Sequence, residues 1–96
     1  MPETAQIARK LRIRGHVQGV GYRAGALAAG QRLGLRGWVR NRHDGSVEAL
    51  VAGPDIAVEQ FIAWAHKGPT HSQVVEVETT SVEASADTTF VVLPTA

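Results

Sequence analysis

The chain has 96 residues, of which 44% are hydrophobic, no cysteine, and a formal net charge of +1 at pH 7. This length suits one domain with one core, and the lack of cysteine excludes both a disulfide framework and a thiol nucleophile. The apolar runs are too short for a membrane span or a signal peptide, and the charge gives no argument for a nucleic-acid partner. We therefore expect a cytoplasmic protein with no membrane partner.

The first part of the chain predicts a strand followed by a helix. Residues 1–7 lack periodicity and are expected to form a loose terminus. Alternating basic and apolar residues predict a strand over Lys10–Arg14, and an Ala-rich stretch with helical spacing predicts a helix over Arg23–Leu33. Gly25 and Gly30 each cost about 1 kcal/mol inside a helix. The helix therefore either packs closely at these positions or is locally soft.

A hairpin and a second helix follow. Strand-like alternation covers Leu35–Asn41 and Val47–Val51, and the Asp44-Gly45 pair between them is typical of a hairpin turn. A helix is expected to begin at Gly53-Pro54-Asp55, with proline and an acidic residue in its first turn, and to end at Gly68-Pro69.

The last part of the chain adds two strands. They are predicted over Val74–Thr79 and Phe90–Leu93, with a polar loop over 83–89 between them. The order is β-α-β-β-α-β plus a short terminal strand. This split βαβ order predicts an α+β domain in which two helices cover one face of a mainly antiparallel sheet.

The segment Gly15–Arg23 has the outline of an anion-binding loop. Three glycines let the backbone approach a ligand, and the following helix offers unpaired N–H groups. Arg23 would lie in the first helical turn, where the helix dipole disfavours a cation unless an anion is held there. The glycine spacing, at Gly15, Gly19 and Gly21, fits neither common nucleotide-phosphate motif. The alternative interpretation is a simple turn between strand and helix.

Other chemistry-bearing residues are less informative. Trp38 and Trp64 occupy regular strand and helix positions, so we expect them to pack in the fold rather than stack on a base. The four histidines lack metal-ligand spacing and are expected to lie on the surface; they are His16, His43, His66 and His71.

Charged residues on the strands favour a solvated sheet face over an acid/base site. We expect Glu76 and Glu78 to pair with arginines on this face. Asp44 is expected to serve the hairpin turn, and Glu48 has no evident second carboxylate as a partner for acid/base chemistry. These positions give no paired-carboxylate site. The arginines concerned are Arg12, Arg14, Arg36, Arg40 and Arg42.

Two motifs carry a family resemblance. They are G-[basic]-V-Q-G-V-x-[FY]-R at Gly15–Arg23 and G-W-V-x-N-x-x-D-G-x-V-E at Gly37–Glu48. With the second helix and the terminal Phe90-Val91-Val92, the likeness covers about residues 9–93, and the chain resembles the acylphosphatase family. The resemblance implies a single domain over 1–96 with a ferredoxin-like α/β-sandwich fold.

The resemblance also implies an activity and a site. The family hydrolyses the carboxyl-phosphate bond of small acyl phosphates without a metal or cofactor. By resemblance Arg23 binds phosphate, Asn41 positions water, and the loop supplies backbone N–H groups to the phosphate oxygens. The loop residues are Val17, Gln18, Gly19, Val20, Gly21 and Tyr22. Inorganic phosphate or sulfate would compete with substrate, and a monomer is expected.

The chemistry agrees with this interpretation. An acyl phosphate releases a carboxylate whose conjugate acid has a pKa of roughly 4 to 5, so neither a general acid nor a metal is needed. Backbone N–H groups and one arginine can stabilise the phosphoryl oxygens. Asn41 cannot take up a proton near neutral pH, so its role would be to align water, with the substrate phosphate as proton acceptor.

Two other classes of function remain as alternatives. The first is a non-catalytic module of similar fold that binds an anion or a carbamoyl-phosphate-like ligand, since acylphosphatase-like domains also occur within larger maturation proteins; the short chain argues against it. The second is an RNA-binding domain, which requires an aromatic RNP-like run that the sequence lacks. The sequence does not identify the acyl group.

Overall fold

The computed structural model describes residues 5–83 and 88–96. The order of elements predicted from the sequence is confirmed, and the elements of the described chain are β1 (Gln6–His16), α1 (Tyr22–Arg32), β2 (Arg36–Asn41), β3 (Val47–Pro54), α2 (Asp55–Lys67), β4 (Gln73–Val82) and β5 (Phe90–Val92). Most of the predicted polar loop lies outside the described residues.

The first and fourth strands are longer than their sequence patterns indicate. The prediction of a loose terminus through residue 7 is wrong, because β1 begins at Gln6, where Gln6 and Ile7 pair with Pro54 and Gly53 of β3. Pairing with β3 extends β1 at these residues although their own sequence shows no strand-like alternation. The prediction for β4 is likewise too short, because β4 pairs with β1 along most of its length.

The five strands form one sheet in the order β4-β1-β3-β2-β5. β1 is antiparallel to β3 and β4, β2 is antiparallel to β3, and β5 runs parallel to β2. The mainly antiparallel sheet and the hairpin are therefore confirmed. Because β1 and β2 both run antiparallel to the β3 that separates them, their carboxyl ends meet at the same edge of the sheet.

Both helices lie on one face of this sheet and enclose the core. α1 packs against β2 and β5, and α2 packs against β1, β3 and β4. The apolar residues that alternate along the strands face the helices, as predicted. The fully buried side chains include Leu11, Ile13, Val39, Val47 and Val51 from the sheet and Ala26, Ala29, Val58, Phe61 and Ala65 from the helices. Neither described helix has the length and apolar character that a membrane crossing requires.

Close packing explains the two glycines inside α1. A Cβ atom on Gly25 would lie 2.8 Å from the Trp64 ring, and one on Gly30 would lie 2.7 Å from the Phe90 ring. These distances are shorter than real Cβ contacts allow. Of the two explanations that the sequence left open, the structure supports close packing, and it fixes α1 tightly against α2 and β5.

Candidate active site

The loop between β1 and α1 depends on glycine for its backbone conformation. Gly19 has a φ of 76° and Gly21 a φ of 81°, and Gly21 immediately precedes α1. A Cβ atom at either position would have no neighbour within 4 Å. Glycine is therefore required here by the left-handed backbone and not by a lack of space.

This loop presents backbone N–H groups that no backbone acceptor satisfies. Within the part of the chain that the structure describes, the N–H groups of residues 18–21 form no backbone hydrogen bond. The first helical bond runs from the Gly25 N–H to the Gly21 carbonyl at 3.0 Å. The N–H groups of residues 22–24 are thus left as the unpaired donors of a helix start. With the positive end of the helix dipole, they suit an anion.

Arg23 adds a full positive charge at the same place. Its side chain is exposed, the first turn of α1 contains no acidic residue, and the described residues form no ion pair with it. A cation in this position is unfavourable next to the helix dipole. Its charge is therefore uncompensated by the described protein and available to a bound anion.

Tyr22 holds the start of α1 in place. Its hydroxyl donates a hydrogen bond of 2.8 Å to the carbonyl of Ala65, near the end of α2, and its ring packs 5.1 Å from that of Trp64. Burial raises the pKa of the Tyr22 phenol, so the hydroxyl stays protonated and remains a donor. Arg23 thus directly follows a residue that is firmly anchored to α2.

Asn41 lies across from this helix start, at the end of β2. Its carbonyl accepts a hydrogen bond of 3.0 Å from the Ala96 N–H, while its side-chain Oδ1 is buried and has no partner among the described residues. An unsatisfied buried polar atom is uncommon in a folded protein and calls for a specific explanation. Oδ1 of Asn41 is thus free to accept a hydrogen bond from a bound molecule.

One cleft of about 430 Å³ connects these features. The start of α1 and the end of β2 are neighbours because the carboxyl ends of β1 and β2 meet at one sheet edge. The lining residues are Val17, Gly19, Gly21, Tyr22, Arg23, Ala24, Leu27, Asn41 and Val92. The structure therefore brings together most of the site residues predicted from the sequence. The exceptions are Gln18 and Val20, which do not line the cleft.

The side chain of Gln18 has a contact that the sequence did not predict. Its Nε2 donates to the carbonyl of Arg42 at 2.8 Å and to that of Ser46 at 2.9 Å. These two carbonyls belong to the turn between β2 and β3, just beyond Asn41. Gln18 therefore ties the loop between β1 and α1 to the turn, whereas Val20 packs against the core. The presence of a glutamine in this glycine-rich loop was the one sequence signal that could have indicated such a contact.

A second group of cations lies on the open face of the sheet, around Glu48. The sequence indicates no second carboxylate for Glu48, and it does not predict that four basic side chains surround the Glu48 carboxylate. They are Arg40 at 2.7 Å, Lys10 at 3.1 Å, Arg42 at 3.3 Å and Arg12 at 3.6 Å. The Glu48 side chain is only 1% exposed, so a buried carboxylate lies among partly exposed cations, and the expected solvated strand charge describes the cations but not Glu48.

The pKa of Glu48 shows which effect dominates in this network. Burial raises the pKa of the carboxyl, but hydrogen bonds from Arg40 and Lys10, with their positive charge, outweigh burial and leave the pKa below its ordinary value of 4.5. Glu48 is therefore ionised near neutral pH. A carboxylate that cations hold in its ionised form near neutral pH is unsuited to general acid catalysis.

The other acidic residues have the roles that the sequence predicts. Glu76 and Glu78 pair with Arg14 at 3.1 and 3.6 Å on the exposed surface. Asp44 accepts hydrogen bonds from the Ser46 hydroxyl at 2.6 Å and N–H at 2.9 Å, and these bonds lower the pKa of Asp44. It stabilises the hairpin turn as expected.

The predictions that Trp64 packs in the fold and that the four histidines lie on the surface are confirmed, whereas Trp38 is not part of the hydrophobic core that the described residues form. Trp64 packs between Tyr22 and Phe61, and Trp38 is half-buried with the Arg40 guanidinium 4.6 Å from its ring centre. All four histidines are exposed. Across residues 5–83 and 88–96, no group of three or more acidic, histidine or cysteine side chains could hold a metal ion.

The fold and the cleft define a small α+β domain with a cleft at a strand-loop-helix junction whose lining groups suit an anion. Comparison with known proteins identifies the family. The family model for acylphosphatases matches residues 9–92. An acylphosphatase from Azoarcus sp. (strain BH72) is 57% identical over 94 residues, which are 98% of this chain and 96% of that protein. The chain therefore belongs to the acylphosphatase family, whose members hydrolyse acyl phosphates.

Solved structures support the same assignment. The crystal structure of acylphosphatase from Bacillus subtilis matches with a TM-score of 0.88 and 31% identity, over 91% of this chain and 98% of that one. Full-length HypF, in a phosphate- and nucleotide-bound form, matches with a TM-score of 0.88 and 29% identity. That match covers 95% of this chain but only 12% of HypF, so a similar domain also occurs as a small part of a longer protein.

Proposed function

We propose that the cleft at the start of α1 is where this acylphosphatase hydrolyses small acyl phosphates to a carboxylate and inorganic phosphate. The observation that carries the proposal is the meeting of complementary groups in one cleft. Unpaired N–H donors and the uncompensated Arg23 lie on one side, and the unpartnered Oδ1 of Asn41 lies on the other. The first set suits a phosphoryl group, and the second suits a water molecule.

The phosphoryl group binds to the loop and Arg23. Backbone N–H groups of residues 17–22 donate to the phosphoryl oxygens, and the planar guanidinium of Arg23 makes a two-point contact. Charge on these oxygens is the main obstacle to attack, and donors that are already in position stabilise it without reorganising. The two left-handed glycines hold the N–H groups in that arrangement.

Asn41 orients the attacking water. Its Oδ1 accepts a hydrogen bond from the water, whose oxygen then forms a bond to phosphorus while the bond from phosphorus to the carboxyl oxygen breaks. The carboxylate leaves with that electron pair, and the proton of the water passes to a phosphate oxygen. Because an amide does not take up a proton near neutral pH, Asn41 acts by alignment.

The reaction needs neither a general acid nor a metal. The leaving carboxylate is a weak base, with a conjugate-acid pKa of roughly 4 to 5, so it departs without protonation. Arg23 and the loop supply the positive charge that a divalent metal would otherwise provide. Phosphomonoesters, whose leaving groups are more basic, are expected to be poor substrates.

A steady-state assay with benzoyl phosphate tests the proposal. We expect turnover that survives excess EDTA, competitive inhibition by inorganic phosphate and sulfate, and a much lower kcat/KM for p-nitrophenyl phosphate. Activity that is lost in EDTA and restored by a divalent metal would contradict the metal-independent mechanism. Phosphate binding without turnover would indicate a non-catalytic anion-binding module instead.

We also propose that the protein works as a cytoplasmic monomer without nucleic acid or membrane partners. The near-neutral net charge and the pairing of most strand cations with carboxylates support this view. Light scattering coupled to size-exclusion chromatography tests it. A mass of one chain is expected, and a stable dimer would overturn the monomer.

A further inference from the structure

The cleft continues beyond its phosphate-binding end along an apolar wall. Ala24, Leu27 and Val92 line it together with Arg23 and Asn41. Leu27 follows Arg23 by four residues, so both lie on the same side of α1, with a rise of about 6 Å between them. Side chains of a helix lean toward its N-terminus, and Leu27 therefore leans toward the phosphate end.

The edge strand β5 contributes Val92 to this wall. Val92 pairs with Val39 in the parallel β2-β5 ladder and lies on the same face of β5 as the buried Phe90. Val92 nevertheless remains 41% exposed, because it faces the cleft and not the closed core. An exposed valine and a partly buried leucine thus face the space next to the reacting phosphate.

We propose that this wall is an acyl subsite that selects uncharged, apolar acyl groups. The proposal rests on the proposed function, since the acyl group enters the cleft attached to the phosphoryl group held by Arg23. Arg23 is the one charged side chain among the described residues that line the cleft, so a second charge on the acyl group finds no counter-ion there. The cleft volume of about 430 Å³ lies in the range of small-molecule sites.

Valine-to-threonine exchange on β5 provides a matched test, because it replaces a methyl by a hydroxyl at nearly constant shape. Val91 is 42% exposed, lies on the other face of β5 and does not line the cleft. We expect Val92→Thr to lower the ratio of kcat/KM for benzoyl phosphate to that for acetyl phosphate roughly fourfold, as for one buried methylene. Val91→Thr should leave this ratio at the wild-type value.

A second pair of variants tests the same wall by filling it. Ala24 and Ala28 are both exposed on α1, but only Ala24 lines the cleft. Ala24→Leu should lower the benzoyl-to-acetyl ratio about tenfold by occupying the subsite, whereas Ala28→Leu should not change it. Thermal unfolding of each variant controls for the fold.

The outcomes separate the two proposals. If the Val92 and Val91 variants change the ratio equally, or Ala24→Leu leaves it unchanged, while phosphate still inhibits the wild type competitively, the acyl subsite is wrong and the phosphate site stands. If phosphate does not compete with benzoyl phosphate in the wild-type enzyme, the proposed function of the cleft fails, and the subsite fails with it.

Discussion

The protein carries two groups of basic side chains that differ in their compensation. On the open sheet face, four cations surround the buried carboxylate of Glu48, and Arg40 approaches it to 2.7 Å. At the start of α1, Arg23 projects into a cleft where the described residues offer it no carboxylate. Arginine thus occurs both in an ion-pair network and, at Arg23, in a cleft without an ion-pair partner among the described residues.

This difference separates structural charge from functional charge. A cation that already pairs with a carboxylate has little left to offer a ligand, and its loss is felt mainly in stability. A cation placed against a helix dipole without a partner costs stability, and it regains that cost only when an anion binds. We therefore expect changes at Arg23 to reduce activity and changes at Glu48 to reduce stability.

The sharpest test of the comparison is Arg23→Lys. The variant keeps the charge but replaces a planar two-point donor with a point charge, so we expect kcat/KM for benzoyl phosphate to fall by on the order of 10³. The loss should appear in both phosphate binding and turnover. Arg14→Lys is the matched control, since Arg14 is an exposed arginine whose partner is Glu76 at 3.1 Å. A folded Arg23→Lys enzyme with near wild-type activity would remove Arg23 from the site.

Substitutions at Asn41 test the side of the cleft where the described residues carry no charged side chain. Asn41→Ala should lower kcat by on the order of 10² to 10³ and leave phosphate inhibition and the fold nearly intact, because only the alignment of water is lost. Asn41→Asp should be equally poor, since its carboxylate would repel a phosphate about 4 to 5 Å away. Steady-state kinetics, inhibition constants and circular dichroism of both variants check this. An Asp variant that matches wild type would show that position 41 works by proton transfer.

Substitution of Glu48 tests the ion-pair network on the open face of the sheet. Glu48→Gln leaves four cations without their carboxylate, and we expect a loss of about 3 kcal/mol in the free energy of unfolding, at the low end for a broken buried pair because the cations are partly exposed. Glu76→Gln breaks only an exposed pair and should cost less than about 1 kcal/mol. Urea denaturation measures both. Equal losses would contradict the distinction between the two environments.

The same role of Glu48 predicts how the stability difference between wild type and Glu48→Gln changes with pH. The pKa of Glu48 is lower in the folded protein than its ordinary value of 4.5, so its ionised form stabilises the fold fully above that pH. The contribution is lost as pH falls through the folded pKa. The stability difference between wild type and Glu48→Gln should therefore be largest near neutral pH and shrink in acid. A difference that grows in acid would rule out this direction.

The order of elements and the glycine-rich turn between β1 and α1 could be predicted from the sequence because their signals are local. Alternation predicts the strands, Asp44-Gly45 predicts the hairpin, and the glycines with Arg23 predict which residues meet in the cleft. The Glu48 network could not be predicted in this way. It depends on strand register, which places Arg12, Glu48 and Arg40 side by side across β1, β3 and β2. Periodicity within one strand carries no information about that register.

Two further features, the start of β1 and the glycines inside α1, could not be settled from the sequence for the same reason. The early start of β1 depends on pairing of Gln6 and Ile7 with β3, and the tolerance of Gly25 and Gly30 in α1 depends on rings from α2 and β5. Each is set by a distant part of the chain. The side-chain bonds of Gln18 to the β2-β3 turn belong to this class too, and they lead to the last test.

Gln18 connects the two regions, because it belongs to the loop between β1 and α1 and its side chain bonds to the turn that contains Arg42. Gln18→Met keeps the length of the side chain but removes both donors. The two carbonyls keep other backbone donors, Gly45 and Arg42, so the loss in stability should be about 1 to 2 kcal/mol.

The effect on activity should be distinct from that at Asn41. A loop without its tether must be ordered by the ligand, so we expect Gln18→Met to raise the inhibition constant of phosphate and lower kcat/KM together, each about tenfold, which corresponds to about 1.4 kcal/mol. Gln60→Met, at an exposed position on α2, is the control. If Gln18→Met loses stability while its inhibition constant for phosphate stays at the wild-type value, the tether supports the fold alone and does not position the loop.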